Sequence, residues 1–279
     1  MRKFLLISSI GIILAFIIYK GNTTVGTSFY VIDSNRLPPS FEGYKIVQLS
    51  DLHDAKFGQN HEDVVRQVKN IAPNAIFITG DLIDSNRYNL EQSLILVKEL
   101  QHEAPIYFVT GNHEISTNDV NRIKESLQQL GVRVLSNERE VITSDKNESI
   151  AIGGIEDPLS STFEDEDAVK NSVAYTFENL PSEMFKILLS HRPELFDIYV
   201  DNQVDLTFSG HAHGGQFRLP GVGGLLSPGQ GWFPKLTSGI HEQDDSQIVV
   251  SRGLGNSLMP LRLFNQPEIV VVTLRKSEG

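Results

Sequence analysis

The apolar positions of this chain follow two periods. Short runs dense in β-branched and aromatic residues stand at Lys45–Leu49, Ala75–Thr79, Ile106–Thr110, Ser149–Gly153, Lys186–Leu189 and Asp205–Phe208, and runs of that length and composition read as buried strands. Between them, His61–Ile71, Leu90–Leu100, Asp119–Leu130 and Pro193–Val200 carry apolar residues at helical spacing. Leu94, Val97 and Leu100 form one stripe, and Ile123, Leu127 and Leu130 another. Strands alternating with helices predict an α/β fold.

The flanks add a first strand at Ser28–Asp33, ended by Leu37-Pro38-Pro39, and two closing strands at Ile248–Ser251 and Glu268–Leu274. The Gly- and Pro-rich stretch Gly214–Gly239 holds no helical pattern. Its Trp232 and Phe233 are expected to tuck into the core, as in compact surface loops; a lipid-facing lip is the other reading. No composition shift marks a linker inside residues 40–279, which predicts a single domain over 23–279 behind an N-terminal segment, 1–22.

In that segment Arg2 and Lys3 precede sixteen uncharged, mostly apolar residues, Phe4 to Tyr19, and Lys20 closes the run. The run predicts an uncleaved signal anchor; a cleaved signal peptide and a buried helix are the alternatives. The positive-inside rule places the N-terminus in the cytoplasm and the domain on the extracytoplasmic side. Secretion after cleavage, or a place on the cytoplasmic face, are the other outcomes.

Composition is that of an ordinary globular protein, with 40% hydrophobic and 21% charged residues. The formal net charge of −11 argues against non-specific binding of nucleic acid. There is no cysteine, so disulfides, thiolate metal sites and thiol nucleophiles are excluded.

Five of the strand-like runs end on metal-ligand side chains: Asp51-Leu52-His53, Gly80-Asp81, Gly111-Asn112-His113-Glu114, His191, and Gly210-His211-Ala212-His213. Ligands of open α/β sheets bind beyond the carboxyl ends of the strands, so these segments converge on one rim. In extended backbone, residues two apart point the same way, which lets Asp51 and His53, and His211 and His213, face one centre.

These motifs, in this order, resemble those of the calcineurin-like metallophosphoesterases. Gly214-Gly215-Gln216, Pro260-Leu261-Arg262, Pro267-Glu268 and the N-terminal run are similar to the membrane-anchored bacterial branch of YaeI- and YkuE-type phosphodiesterases. Glu114 stands where many members have Asp. The resemblance implies a four-layer αββα sandwich of two facing mixed β-sheets flanked by helices. It also implies two divalent metal ions (Mn, Fe or Zn), one held by Asp51, His53, Asp81 and His213, the other by Asp81, Asn112, His191 and His211. A hydroxide between the ions would attack phosphorus while His113 assists the leaving oxygen; a residue that orients a ligand is the other reading of His113. The implied activity is hydrolysis of a phosphodiester or pyrophosphate, by analogy on a lipid- or nucleotide-linked membrane substrate such as UDP-2,3-diacylglucosamine. A phosphomonoesterase with the same site and a non-catalytic metal-binding scaffold are the alternatives. Oligomeric state is open.

Other residues fall outside the motifs. Arg192 and Arg262 could contact a substrate phosphate or form structural ion pairs. Asp54 reads as solvated or as support for the ligands. Glu164-Asp165-Glu166-Asp167 reads as a solvated helix start. His61, His102 and His241 read as surface residues.

Overall fold

Two six-stranded sheets form the frame of the computed structural model, which describes residues 18–256 and 261–277. The first sheet takes strands β1 (Gly26–Ser34), β2 (Lys45–Leu49), β3 (Ala75–Thr79), β4 (Ile106–Val109), β5 (Arg133–Val134) and β16 (Glu268–Lys276), in the order β1-β16-β2-β3-β4-β5. The second takes β6 (Glu138–Thr143), β7 (Ser149–Gly154), β8 (Phe185–Leu189), β9 (Leu206–Ser209), β14 (Gly239–Gln243) and β15 (Ser246–Val250), in the order β14-β15-β9-β8-β7-β6. β2 to β5 run parallel and so do β7, β8, β9 and β15, while β16 is antiparallel to β2, and β6 and β14 antiparallel to their neighbours. Four two-residue strands make small ribbons between β9 and β14: β10 (Arg218–Leu219) with β11 (Gly223–Gly224), and β12 (Leu226–Ser227) with β13 (Gly231–Trp232).

Three apolar clusters explain the stacking. Ile46, Phe77 and Val270 of the first sheet pack against Ile187, Leu206 and Phe208 of the second, with the Phe77 and Phe208 rings edge to face at 5.1 Å. Removing Phe77 from that interface would cost about 3–5 kcal/mol. On the outer face of the first sheet, Val47 and Ile78 meet Val64, Leu94 and Ile123 from the helices Glu62–Ile71, Leu90–Leu100 and Val120–Gln129. On the outer face of the second, Leu188 and Val250 meet Val173 and Tyr199 from the helices Asp165–Thr176 and Phe196–Asp201. The result is helix, sheet, sheet, helix, in the αββα order.

A polar seam interrupts the apolar interface beneath the ligand rim. Buried Gln48 of β2 donates from Nε2 to Thr79 Oγ1 in its own sheet, at 3.0 Å, and to the Ser209 carbonyl of the other, at 2.9 Å. Thr79 Oγ1 donates in turn to Ser50 Oγ at 2.8 Å.

Three strands of the two sheets have no counterpart in the sequence reading, β5, β6 and β14, nor do the four short strands of the ribbons. All three lie at a sheet edge; β5 has only two residues, and β6 reads Glu-Arg-Glu-Val-Ile-Thr with no residue buried, so no apolar run announces them. The apolar run 4–19 that predicts a signal anchor lies, but for its last two residues, outside the described residues; residues 18–23 are helical. Among the described residues no helix is long and apolar enough to cross a membrane.

Candidate metal centre

Every motif residue arrives on a connection that leaves the carboxyl end of a strand, or on the short helix Asn112–Ser116 that follows β4. The first sheet delivers Asp51, His53, Asp81 and Asn112; the second delivers His191, His211 and His213. The structure brings Asp51, His53, Asp81 and His213 together, with one candidate ligand atom from each within 4.8 Å of the others, and likewise Asp81, His191 and His211. Asp81 belongs to both groups.

The route to this convergence differs from the sequence argument. Asp51, His53, Asp81, His211 and His213 have φ of +50°, +49°, +51°, +64° and +46°. They are left-handed, not extended, so alternation along a strand is not what aims them. Non-glycine residues in that region cost about 1–3 kcal/mol each and persist where the surroundings over-determine them. Two glycines give the room: a Cβ at Gly111 would collide with Asp81 Oδ1, and one at Gly210 with Ser50 Oγ and Asp51 Oδ2.

The side chains oppose nitrogen to nitrogen and nitrogen to carboxylate. His53 Nε2 and His213 Nε2 are 3.1 Å apart, and Asp51 Oδ1 is 3.4 Å from the latter. His191 Nε2 lies 3.2 Å from Asp81 Oδ2 and 3.2 Å from His211 Nδ1. The His191 Nδ1–H donates to the Thr79 carbonyl at 2.7 Å, which leaves its Nε2 lone pair facing the cluster. Asp51 Oδ2 and Asn112 Oδ1 are buried without a hydrogen-bond partner; a buried polar atom left so costs about 1–3 kcal/mol. A divalent cation satisfies these acceptors and separates the facing nitrogens, and the mixed N/O donor set suits a borderline ion. The residues therefore fit metal.

Charge points the same way. Burial pushes His53 down to about 4, and His211 and His213 well below the ordinary imidazole value, so these rings are neutral ligands at pH 7. Burial would lower His191 as well, but the Asp81 and Asp51 carboxylates outweigh it and push it up to about 10. The space between His191 and Asp81 is built to hold positive charge. Burial and the Asp81 charge push Glu114 up to about 8, against three main-chain N–H donors.

His113 is buried beside His53, with the two rings edge to face and their centroids 4.6 Å apart. Its Nδ1 accepts the Ser85 main-chain N–H at 2.9 Å, so the neutral ring carries its proton on Nε2.

Arg192 forms a two-bond ion pair with Asp157 (Nε to Oδ2 2.6 Å, Nη2 to Oδ1 3.0 Å) and sets Nη1 3.4 Å from His211 Nε2. Arg262 is fully buried, donating to the Arg252 and Gly255 carbonyls at 2.6 Å each. Both arginines are structural in these contacts. Asp54 accepts from Asp84 N, Asn89 N and Ser93 Oγ and so ties down the loop after Asp81. The surface reading of His61 is corrected: it is fully buried, beside Phe57 and Gln92. Glu194 was not singled out in the sequence. Its Oε1 stands 3.7 Å from His211 Nε2, and its place three residues after His191 was the available signal.

Residues 44–215, which hold every one of these motif residues, match the family profile described as calcineurin-like phosphoesterase. The chain belongs to that family. It is a metallophosphoesterase, a hydrolase, with Asp and His residues placed to bind metal. The "Uncharacterized metallophosphoesterase YkuE" of Bacillus subtilis is 30% identical over 257 residues, 91% of this chain and 86% of that protein. "Phosphodiesterase YaeI" of Escherichia coli is 29% identical over 237 residues, 83% of this chain and 82% of the relative. The "Transmembrane protein with metallophosphoesterase domain" of Bos taurus is 30% identical over 252 residues, 86% of this chain but 55% of the longer relative. Among solved structures, TT1561 of Thermus thermophilus shares the fold at a TM-score of 0.51 and 11% identity, over 76% of this chain and 90% of that one.

Proposed function

We propose that this phosphoesterase is a two-metal hydrolase of phosphodiester or pyrophosphate bonds. One cation is held by Asp51, His53, Asp81 and His213, and a second by Asp81, Asn112, His191 and His211. The observation that carries this reading is the membership of Asp81 in both ligand groups, because two close cations need a shared anion between them. Divalent ions such as Mn, Fe or Zn would supply Lewis acidity at the phosphoryl oxygens and acidify an attacking water. The chain's own groups do the positioning. Asp81 Oδ1 is fixed by the His113 main-chain N–H at 2.8 Å, which leaves Oδ2 toward His191. His113 presents Nε2–H to the oxygen that leaves phosphorus, as a hydrogen-bond donor whose tautomer Ser85 sets. The substrate is an envelope or membrane phosphoester, supported by the apolar run at residues 4–19, by a relative named a phosphodiesterase and by one named transmembrane.

The test is hydrolysis of bis-p-nitrophenyl phosphate by the full chain in detergent. Turnover that needs Mn²⁺, stops with chelator and is absent in Asp81→Ala is the expected result. Turnover indifferent to chelator would overturn the metal mechanism, and a strong preference for p-nitrophenyl phosphate would make the enzyme a monoesterase.

A further inference from the structure

Exposed apolar side chains gather on the connections around the metal centre. Among the described residues, Leu219, Val222, Leu226, Trp232, Phe233 and Phe264 are all exposed and all lie between β9 and β16. Trp232 is 72% and Phe233 67% exposed. These connections form one hydrogen-bonded layer. Arg218 N donates to the Leu263 carbonyl, Leu225 N to that of Phe217, and Phe233 N to that of Leu225. The layer is tied to the centre itself, because Asn265 Nδ2 donates to the His213 carbonyl at 2.6 Å. It is therefore a lip of the metal site.

The start of the described chain reaches the same lip. Asn22 Nδ2 donates to the Arg262 carbonyl at 2.9 Å, and Arg262 N donates back to Asn22 Oδ1 at 2.7 Å. The uncharged, mostly apolar run that ends at Tyr19 thus joins the fold beside Arg262. A cavity of about 320 Å³, lined by Asn22, Thr23, Phe57 and Asn256, leads from that junction to His53.

We propose that this lip docks on the surface of a phospholipid bilayer, so that the metal centre opens toward the membrane and takes an amphiphile whose phosphoester lies at the headgroup level. The proposal deepens the function proposed above and rests on it for the chemistry alone. The exposed side chains stand on several short segments, with Leu219, Val222 and Leu226 on the first ribbon and its flanks, Trp232 next to Phe233, and Phe264 apart from both. Projecting groups suit a fluid interface, which closes around each one, whereas a folded partner needs a complementary surface. Trp and Phe beside a basic residue, here the exposed Lys235 two residues after Phe233, are the mixture found at membrane interfaces. The net charge of −11 speaks against attraction to anionic lipid as the driving force, so a zwitterionic bilayer should suffice.

Trp232 is the single tryptophan of the chain, so intrinsic fluorescence reports the lip directly. The full chain is reconstituted in phosphatidylcholine vesicles, made either with ordinary lipid or with lipid brominated along the acyl chain. Interfacial side chains sit about 5–10 Å into the headgroup boundary, so brominated lipid should remove at least about half of the emission. The Leu219→Ser/Phe233→Ser/Phe264→Ser variant, which retains Trp232, should recover most of it. Emission that bromine leaves unchanged overturns the proposal. If iodide quenches it, the lip faces water; if iodide does not, a second copy or the run 4–17 covers it. Mn²⁺-dependent turnover of bis-p-nitrophenyl phosphate on the same vesicles separates the two readings. Turnover without bromine quenching sinks only the docking surface; quenching without turnover sinks only the catalytic reading. Intact turnover in the triple variant also shows that it folds.

Discussion

The main-chain N–H of Asp81 donates to Glu114 Oε2 at 2.9 Å, and the main-chain N–H of His113, one residue before Glu114, donates to Asp81 Oδ1 at 2.8 Å. Asp81 is thus gripped at backbone and side chain by one short helix. Glu114 also accepts from Gly111 N and Ile83 N. Its replacement by Ala would orphan these buried donors at about 1–3 kcal/mol each. Glu114→Ala should also weaken metal binding by about 10–100-fold, as loss of a group that supports a ligand does. Titration calorimetry with Mn²⁺ and a melting curve read the two effects, and an affinity equal to wild type would contradict this role.

His113→Ala should separate metal binding from turnover. The side chain is outside both ligand groups, so metal content should be unchanged while kcat falls by about 10²–10⁴-fold. Metal analysis of the dialysed variant, paired with a rate on bis-p-nitrophenyl phosphate, decides it. Loss of metal would make His113 a structural support of its neighbour Asn112.

The Arg192–Asp157 pair is buried and bidentate. Asp157→Ala should destabilise the fold by up to about 3–5 kcal/mol, because it leaves the buried guanidinium with only the longer 3.6 Å contact to Glu194 Oε1. A double replacement, Asp157→Leu with Arg192→Met, should cost less than either single change. Urea unfolding of the three variants measures this; additive losses would mean that the two side chains stabilise the fold independently.

His61 supplies a pH-dependent increment of stability. Burial lowers its folded-state value below the ordinary 6.5. A depressed imidazole stabilises the fold fully above pH 6.5, and that contribution is lost as pH falls through the folded value. The gap in urea midpoint between wild type and His61→Gln should therefore narrow, or shift in favour of the variant, between about pH 7.5 and pH 5. A gap constant over that range would mean that His61 does not titrate differently in the folded chain.

The sequence revealed what periodicity and residue type can carry. Lys45–Leu49 and Leu90–Leu100 have the bounds that their apolar patterns predicted, because both lie against an apolar layer that accepts only those positions. β6 and β14 stayed hidden because edge strands bury little and so carry little pattern. The convergence of Asp51, Asp81, His191 and His211 on one rim was legible from ligand types at strand ends. The left-handed backbone that aims them was not, since nothing in Asp-Leu-His distinguishes it from extended chain. Trp232 and Phe233 went the other way from the expectation that they tuck into the core: the β12–β13 ribbon holds Trp232, a main-chain bond to Leu225 holds Phe233, and both side chains are exposed at a place where composition alone favours burial. His61 is the reverse case, a polar residue in a polar-looking helix start that Phe57 and Gln92 enclose.

The seam at Gln48 joins two bodies that each carry half of the metal-binding equipment. Oily surfaces hold layers together without fixing where one lies along the other, since sliding exchanges one contact for a similar one. The amide of Gln48 reaching the Ser209 carbonyl is directional, and a shift of one residue would break it. Ser209 is two residues before His211, and Gln48 three before Asp51. The spacing between ligands contributed by different sheets is therefore set by a gauge a few ångströms below them, independent of any ion. A protein so built keeps the placement of its metal-ligand side chains as a property of the scaffold.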